Sequence, residues 1–357
     1  MIKYNFCAGP GVLPNIVLQK ASSTILSYQD NISILSLSHR DPRFKKIRDD
    51  IKLKLKVLLN IGDNYEILLM SGGATAQFSS IPMNLSSDFS QCIYLNSGVW
   101  AKKALKEAKK YTGVNEIILH DHDLINPRVF LEMPKNIDYL HYTDNETIDG
   151  KEFQYVPQYK NVPVVCDMSS SFLSKKIDID KFGLIYAGAQ KNFGPAGVTV
   201  VIIKKDLLSQ DTFNNSIPSI MSYQDTLCND SLLNTPATYS WLVVNYMLDW
   251  MAEKGGITYF DELNRKKSVF LYGAIDHLKL FSSNIPVDIR SRMNVIFNLA
   301  SDELTEKFLV EAENEGFYGL RGHRSVGGCR ASLYNSMDFN GVQELVEFMF
   351  LFNKDNT

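Results

Sequence analysis

No two of the five cysteines form a Cys-x-x-Cys pair; Cys7, Cys92, Cys166, Cys228 and Cys329 lie far apart and are odd in number. That pattern argues against a disulfide framework or a cysteine zinc site and for free thiols in a reducing compartment. There is little excess of either charge. A formal net charge of -3 gives no general attraction to nucleic acid or to an anionic membrane surface. The first residues, MIKYNFCAGPGVLPN, contain no apolar stretch of signal-peptide length. The longest apolar runs, 198–203 and 348–352, are too short to cross a bilayer. Internal repeats and low-complexity segments are also missing. The expectation is a cytoplasmic protein whose 357 residues, 45% of them hydrophobic, suffice for a large domain and a smaller one.

Short apolar runs alternate with amphipathic stretches. Residues 43–59 set Phe44, Ile47, Ile51, Leu55 and Leu58 three or four apart, on one helix face. The run 67–70 is followed by Ser71-Gly72-Gly73 and a helical stretch from about Thr75. Further strands are expected at 93–95, 116–119, 139–142, 163–166, 184–187 and 198–203, with a helix over 101–111. Most of these runs are continuously apolar, as in strands covered by helices on both faces. The pattern predicts an α/β fold with a mainly parallel sheet. Beyond residue 260 it changes to helix (260–278), strand (293–299), helix (303–315), strand (330–334) and helix (341–352). We expect a large domain over 16–262, and a smaller α+β domain formed by 263–357 with an extended arm, 1–15.

Open α/β sheets bind ligands beyond the carboxyl ends of their strands. Four such ends carry reactive groups: Asp167, Gly188-Ala189-Gln190-Lys191-Asn192, Ser71-Gly72-Gly73-Ala74-Thr75 and Thr143-Asp144-Asn145-Glu146-Thr147. Singly, each has a plain reading. Lys191 is a solvated loop lysine, Asp167 a helix cap, Gly72-Gly73 a turn, and Trp100 a core residue. Together they supply what pyridoxal phosphate requires. These parts are an amine to form an imine with its aldehyde, a carboxylate for its pyridine nitrogen, and a glycine turn at a helix N-terminus for its phosphate. Trp100 offers a ring to stack on it. Two basic pairs, His39-Arg40 and His323-Arg324, sit in small, Gly- and Ser-rich stretches that let cations approach a ligand.

The segments FCAGPGVLP (6–14), SHR (38–40), GGATAQF (72–78), DNETIDG (144–150), YAGAQKNFGPAG (186–197), LNTPATYSW (233–241) and GHRSVGGCRASLYN (322–335) run the length of the chain. In that order they resemble the phosphoserine aminotransferases, class V pyridoxal-phosphate enzymes of fold type I. The resemblance implies that Lys191 is the Schiff-base lysine and Asp167 the partner of the ring nitrogen. Trp100 would stack on the ring, and Thr147 would lie beside its phenolic oxygen. Ala74, Thr75 and Gln190 would hold the cofactor phosphate, completed by Asn234 and Thr235 from the other subunit of a homodimer. Arg330 would bind the substrate α-carboxylate, and His39, Arg40, His323 and Arg324 its phosphate. The implied reaction passes an amino group from L-glutamate to 3-phosphohydroxypyruvate, giving O-phosphoserine and 2-oxoglutarate. A role on 4-phosphohydroxythreonine, in pyridoxine biosynthesis, fits the same groups.

Two positions depart from the pattern. Thr75 stands where many members carry an Arg, which weakens or redistributes phosphate recognition. Cys7 replaces the more usual Ser, and a thiol is a poorer donor. Other readings are a cysteine desulfurase, for which Cys329 is the cysteine nearest an expected substrate residue, and a pyridoxal-phosphate-binding protein without catalysis. His120-Asp121-His122-Asp123 has metal-ligand composition, but no further ligands follow at usual spacing. We expect a solvated loop there and no metal.

Overall fold

The computed structural model describes residues 3–87, 90–126, 136–208 and 217–357. Seven strands make the main sheet: β1 (Tyr65–Met70), β2 (Gln91–Asn96), β3 (Gly113–Ile118), β4 (Ile137–Thr143), β5 (Val164–Asp167), β6 (Leu184–Gly188) and β7 (Thr199–Lys204). Their order is β1-β7-β6-β5-β4-β2-β3. Only β7 is antiparallel to its neighbours, β1 and β6. The carboxyl ends of the other six therefore open on one edge, and the four loops singled out in the sequence leave from that edge. The expected strand positions hold to within two or three residues.

Nine helices are described: α1 (Asn15–Leu26), α2 (Pro42–Leu59), α3 (Gly73–Leu85), α4 (Val99–Ala108), α5 (Tyr223–Cys228), α6 (Thr238–Glu253), α7 (Gly256–His277), α8 (Asp302–Asn314) and α9 (Phe339–Asn356). α2 begins where Asp41 accepts a hydrogen bond from the Arg43 amide, with Pro42 in the first turn. Its buried Phe44, Ile47, Ile51 and Leu55 pack with Trp241 of α6 over Ile67, Leu69, Ile93 and Leu95 of the sheet. On the other face Phe78 and Ile81 of α3 and Ala104 and Leu105 of α4 cover Leu68, Tyr94, Val165 and Tyr186. Helix α6 had no sequence expectation, for a physical reason. Leu242, Val244 and Leu248 face the sheet-side core while Val243 and Met247 meet α1, so no continuous polar face remains to reveal its period.

A third apolar cluster unites Leu271 and Ile275 of α7 with Phe308 of α8, Val342 and Leu345 of α9, and Val295, Phe297 and Ala331 of a small antiparallel sheet. That sheet comprises β8 (Phe281–Ser282), β9 (Asn294–Leu299) and β10 (Cys329–Ser332). Phe6 of the N-terminal arm is buried in the same cluster, and Tyr4–Asn5 pairs in parallel with Phe317–Tyr318. The arm continues across to the main sheet: Tyr334 donates to the Ala8 carbonyl at 2.6 Å, and the Gly11 amide to the Gln190 carbonyl at 2.7 Å. Buried charges brace the same seam. Glu152 binds Lys175 and Arg292, each at 2.9 Å, and Arg292 reaches Asp261 at 2.8 Å.

Candidate active site

Lys191 lies in the loop after β6, half-buried, and its Nζ donates to Thr147 Oγ1 at 2.7 Å. Burial lowers the ammonium pKa to about 8, against the opposing pull of Asp167 and Glu146. The amine is thus far closer to neutral than a surface lysine, as a nucleophile or base at ordinary pH must be. Asp167 ends β5 and is buried. Burial raises its carboxyl pKa, and the Ser169 amide (2.8 Å) and the charge of Lys191 work against that rise. Thr147 does double service, since its carbonyl also accepts from Arg330 at 3.3 Å. Arg330 comes from β10 of the small sheet, so one threonine joins the two sheets' contributions. Burial lowers the Arg330 pKa, and its Nε is enclosed with no hydrogen-bond partner. A half-buried guanidinium with an enclosed, unused donor is suited to an incoming carboxylate.

The Trp100 ring stands 5.3 Å from Lys191 Nζ, and its own Nε1 is buried without a partner. Trp100 is placed by Glu146, which sequence reasoning missed. The Glu146 carboxylate accepts from the Trp100 and Ala101 amides at 2.9 Å each and from Ser97 Oγ at 3.3 Å. Asp149 takes the Val99 amide at 3.0 Å. Two carboxylates therefore cap α4 from a distant loop, as the helix dipole favours. Gly98 makes room for them, because a Cβ there would lie 2.6 Å from Asp149 Oδ2 and 2.7 Å from Glu146 Cδ. One signal was available: α4 begins after a glycine, with no Ser, Thr, Asp or Asn of its own at the cap. Burial raises the Glu146 pKa to about 7, with Asp149 and Asp167 adding to the rise.

Helix α3 starts at Gly73, two residues before the expected Thr75, and no side chain caps it. Gly72 has φ +93°, and a Cβ on it would sit 2.5 Å from the Ala76 Cβ, so the turn requires glycine. The first amides, including those of Ala74 and Thr75, have no partner within the helix and form an anion-binding end. Packing of Phe78 edge-on to Tyr186 (6.3 Å) sets this end beside the β6 loop that carries Gln190 and Lys191.

The basic residues divide. His323 bonds its neighbour Ser325 at 2.7 Å. Its pKa is lowered first by burial and then by the charges of Arg330, Arg324 and Lys103, which places it among the site's cations. Lys103, which the sequence reading did not select, holds its ammonium 4.1 Å from the Trp100 ring centroid. Arg324 is exposed. His39, by contrast, bonds Thr235 at 3.0 Å, while Arg40, Asn234 and Thr235 are exposed. Among the described residues no hydrogen bond or ion pair connects these four with Lys191, Asp167, Thr147 or Arg330.

Packing bears on three further expectations. Cys7 is half-buried with a thiol pKa raised by burial, which makes it still poorer at serving a substrate. Cys329 is buried in β10, its pKa pushed up to about 12 by burial, so it has none of the ready thiolate that desulfuration needs. The segment 120–123, expected as a solvated loop, is so only in part: His120 and His122 are exposed. Asp121–Leu124 form a 3-10 turn, Asp123 is buried, and it accepts from the His120 amide at 2.8 Å. Among the described residues no group of His, Cys, Asp and Glu is arranged to hold a metal ion. No helix there is long and apolar enough to cross a membrane.

The class-V aminotransferase family model matches residues 3–345, and the chain belongs to that family. The chain is 45% identical to the phosphoserine aminotransferase of Acinetobacter baumannii (strain ACICU) over 361 residues, covering 100% of both. Within the class, then, it is a member of the phosphoserine aminotransferase family. The phosphoserine aminotransferase structure from Bacillus circulans subsp. alkalophilus superposes with a TM-score of 0.92 at 39% identity, over 99% of this chain and 98% of that one. A pyridoxal-phosphate-bound phosphoserine aminotransferase of Trichomonas vaginalis gives 0.90 at 35% identity, over 97% and 99%. The mainly parallel sheet flanked by helices is the fold-type-I aminotransferase fold.

Proposed function

We propose that this chain moves an amino group between L-glutamate and 3-phosphohydroxypyruvate, releasing O-phosphoserine and 2-oxoglutarate, with pyridoxal phosphate as cofactor. The observation that carries the reading is the convergence on Thr147 of Lys191, a lysine with a depressed pKa, and Arg330, a half-buried arginine with an unused, enclosed donor. The cofactor fits the donor set: an uncapped helix end for its phosphate, a buried carboxylate for its ring nitrogen and an indole for its face. When bound, it supplies an aldehyde that accepts amino groups and a ring that draws electrons from the substrate Cα.

The residues then have distinct tasks. Arg330 fixes the substrate carboxylate, which sets the Cα–H bond within reach of Lys191. With the cofactor bound, Nζ of Lys191 would be the base that takes the Cα proton and delivers it to the carbon that carried the aldehyde. Thr147 orients Nζ, and Asp167 keeps a proton on the ring nitrogen. The Ala74 and Thr75 amides and Gln190 bind the cofactor phosphate. His323 and Arg324 face the substrate phosphate, and Lys103 adds a cation beside Trp100 where Thr75 contributes none. Expelling water around a doubly charged phosphate is favourable only where cations replace it, so oxo acids that lack a second anionic group at that end are poor substrates.

We further propose a homodimer in which Asn234 and Thr235 reach the partner's cofactor. Because His39 hydrogen-bonds Thr235 of its own chain, His39 and Arg40 act with them on the partner's site. In support, Leu26 and Leu35, 85% and 62% exposed, leave nearby apolar surface to cover. We also propose a large domain over 16–262 and a small one over 1–15 with 263–357, α7 running across the boundary, and a cytoplasmic setting consistent with five free cysteines. The test is a visible spectrum of the purified protein with pyridoxal phosphate, titrated with O-phosphoserine and then 2-oxoglutarate. The cofactor band should bleach and return; a band that stays fixed through both additions overturns the assignment.

A further inference from the structure

A line of buried polar side chains lies behind Asp167 on the α3 side of the sheet. In register, Asp167 pairs with Tyr186 and with Thr143, and His141, two residues before Thr143, pairs with Tyr94. Asp167, Tyr186, His141 and Tyr94 therefore project from the same face. His141 is 1% exposed. Its ring lies on Tyr94 with centroids 4.6 Å apart and planes at 20°. Its Nε2 is 2.8 Å from the Tyr186 hydroxyl, and its Nδ1 is buried with no hydrogen-bond partner.

That asymmetry selects a tautomer. Burial pulls the His141 pKa down to about 3, so the ring is neutral and carries one proton. On Nδ1 that proton would be a buried N–H with no acceptor, the rarer and costlier defect. On Nε2 it is donated to Tyr186, and only a lone pair goes unused at Nδ1. The Tyr186 oxygen then accepts from His141, so its own O–H donates elsewhere. The acceptor beside it is the Asp167 carboxylate, which its hydrogen bond stabilises. Ser169 acts in the same sense: its hydroxyl oxygen accepts from the Gly188 amide at 3.2 Å, leaving its proton for Asp167.

We propose that His141 and Tyr186 form a one-way hydrogen-bond relay, Nε2–H to Oη and O–H to carboxylate, that keeps Asp167 ionised in its buried setting. Through Asp167 the relay sets how firmly the cofactor's ring nitrogen holds its proton. This rests on the reading of Asp167 as that nitrogen's partner. Both are positioning residues, since neither touches cofactor or substrate in this reading. Without the Tyr186 donor the carboxylate becomes more basic, the shared proton moves from ring nitrogen to Asp167, and the ring draws electrons less well.

Two measurements test the relay. The first is the nitrogen NMR spectrum of the full-length protein labelled in histidine, without cofactor, with His141 assigned by its loss in His141→Gln. A protonated Nε2 and bare Nδ1 are expected; a protonated Nδ1 overturns the relay, and this arm needs no folded variant at position 186. The second uses pyridoxal phosphate labelled at the ring nitrogen, bound to wild type, Tyr186→Phe, His141→Leu and His141→Gln. Tyr186→Phe and His141→Leu should move the resonance toward neutral pyridine, and His141→Gln, which retains a donor, should restore it. The Cα proton step should slow about tenfold, the equivalent of one pKa unit at Asp167, with half-saturation by substrate unchanged. A ring-nitrogen resonance identical in wild type, Tyr186→Phe and His141→Leu contradicts the proposal. A protein that takes up no cofactor contradicts the proposed function instead, and the imidazole tautomer still decides the relay.

Discussion

The cluster around Lys191 and the cluster around His39 contrast in almost every physical respect. Around Lys191, groups from two sheets are buried or half-buried, joined through Thr147 and shifted from their ordinary pKa values. Around His39, one hydrogen bond to Thr235 is the main link and its neighbours face solvent. Low dielectric and fixed partners are what tune an acid or a base. Exposed cations in water attract a phosphate only weakly. On the proposed reading the proton-handling groups lie together in one chain, while the exposed His39 group needs a second surface to exclude water before it can bind a phosphate firmly.

The largest effect should come from Lys191→Ala. Turnover should fall by about a thousandfold or more, the general-base contribution, with chain folding intact by circular dichroism. Retained turnover would erase the contrast at its source. Next, Arg330→Leu should lower kcat/KM for both amino donors about a hundredfold, near 3 kcal/mol for a charge-assisted pair. Arg330→Lys should recover only part of it, since an ammonium lacks the planar fork.

Titration gives a third contrast. The depressed pKa of Lys191 means its reactive neutral amine is scarce below about 8 and saturates above it. Capture of pyridoxal phosphate by cofactor-free protein should therefore speed up roughly tenfold between pH 7 and pH 9 and then level off. A rate that is flat over that range would show Lys191 to be neutral throughout. Arg40→Ala should raise KM for O-phosphoserine by about tenfold and leave the glutamate half-reaction alone. The smallest effect belongs to Thr235→Val, which removes an exposed hydrogen bond and should change chain stability by no more than about 0.5 kcal/mol in a denaturant melt.

Much of the inner cluster was legible because strand ends are legible. Continuous apolar runs located β5 and β6, and the residues after them, Asp167 and Lys191, followed directly. Resemblance added Thr147 and Arg330. What escaped were relations that no local pattern carries. Glu146 caps a helix whose first residue is 47 positions upstream in the chain, at Val99. Lys103 and His141 earn their places through neighbours on other elements. Asp123 was expected in a solvated loop and is a buried turn cap, because composition alone does not separate the two. α6 went unseen because it is wrapped on both sides.

The decisive measurement mixes two defective chains. Lys191→Ala is combined with the double variant His39→Ala/Arg40→Ala, and the subunits are exchanged by mild denaturation and refolding. If the His39 group serves the partner's lysine, each hybrid dimer contains one site with every residue intact. Random pairing should then restore about a quarter of wild-type activity. If both groups serve the same chain, neither site of the hybrid is whole. Activity that stays at the level of the separate variants after verified subunit exchange would contradict the division between a self-contained chemical centre and a borrowed phosphate-binding surface.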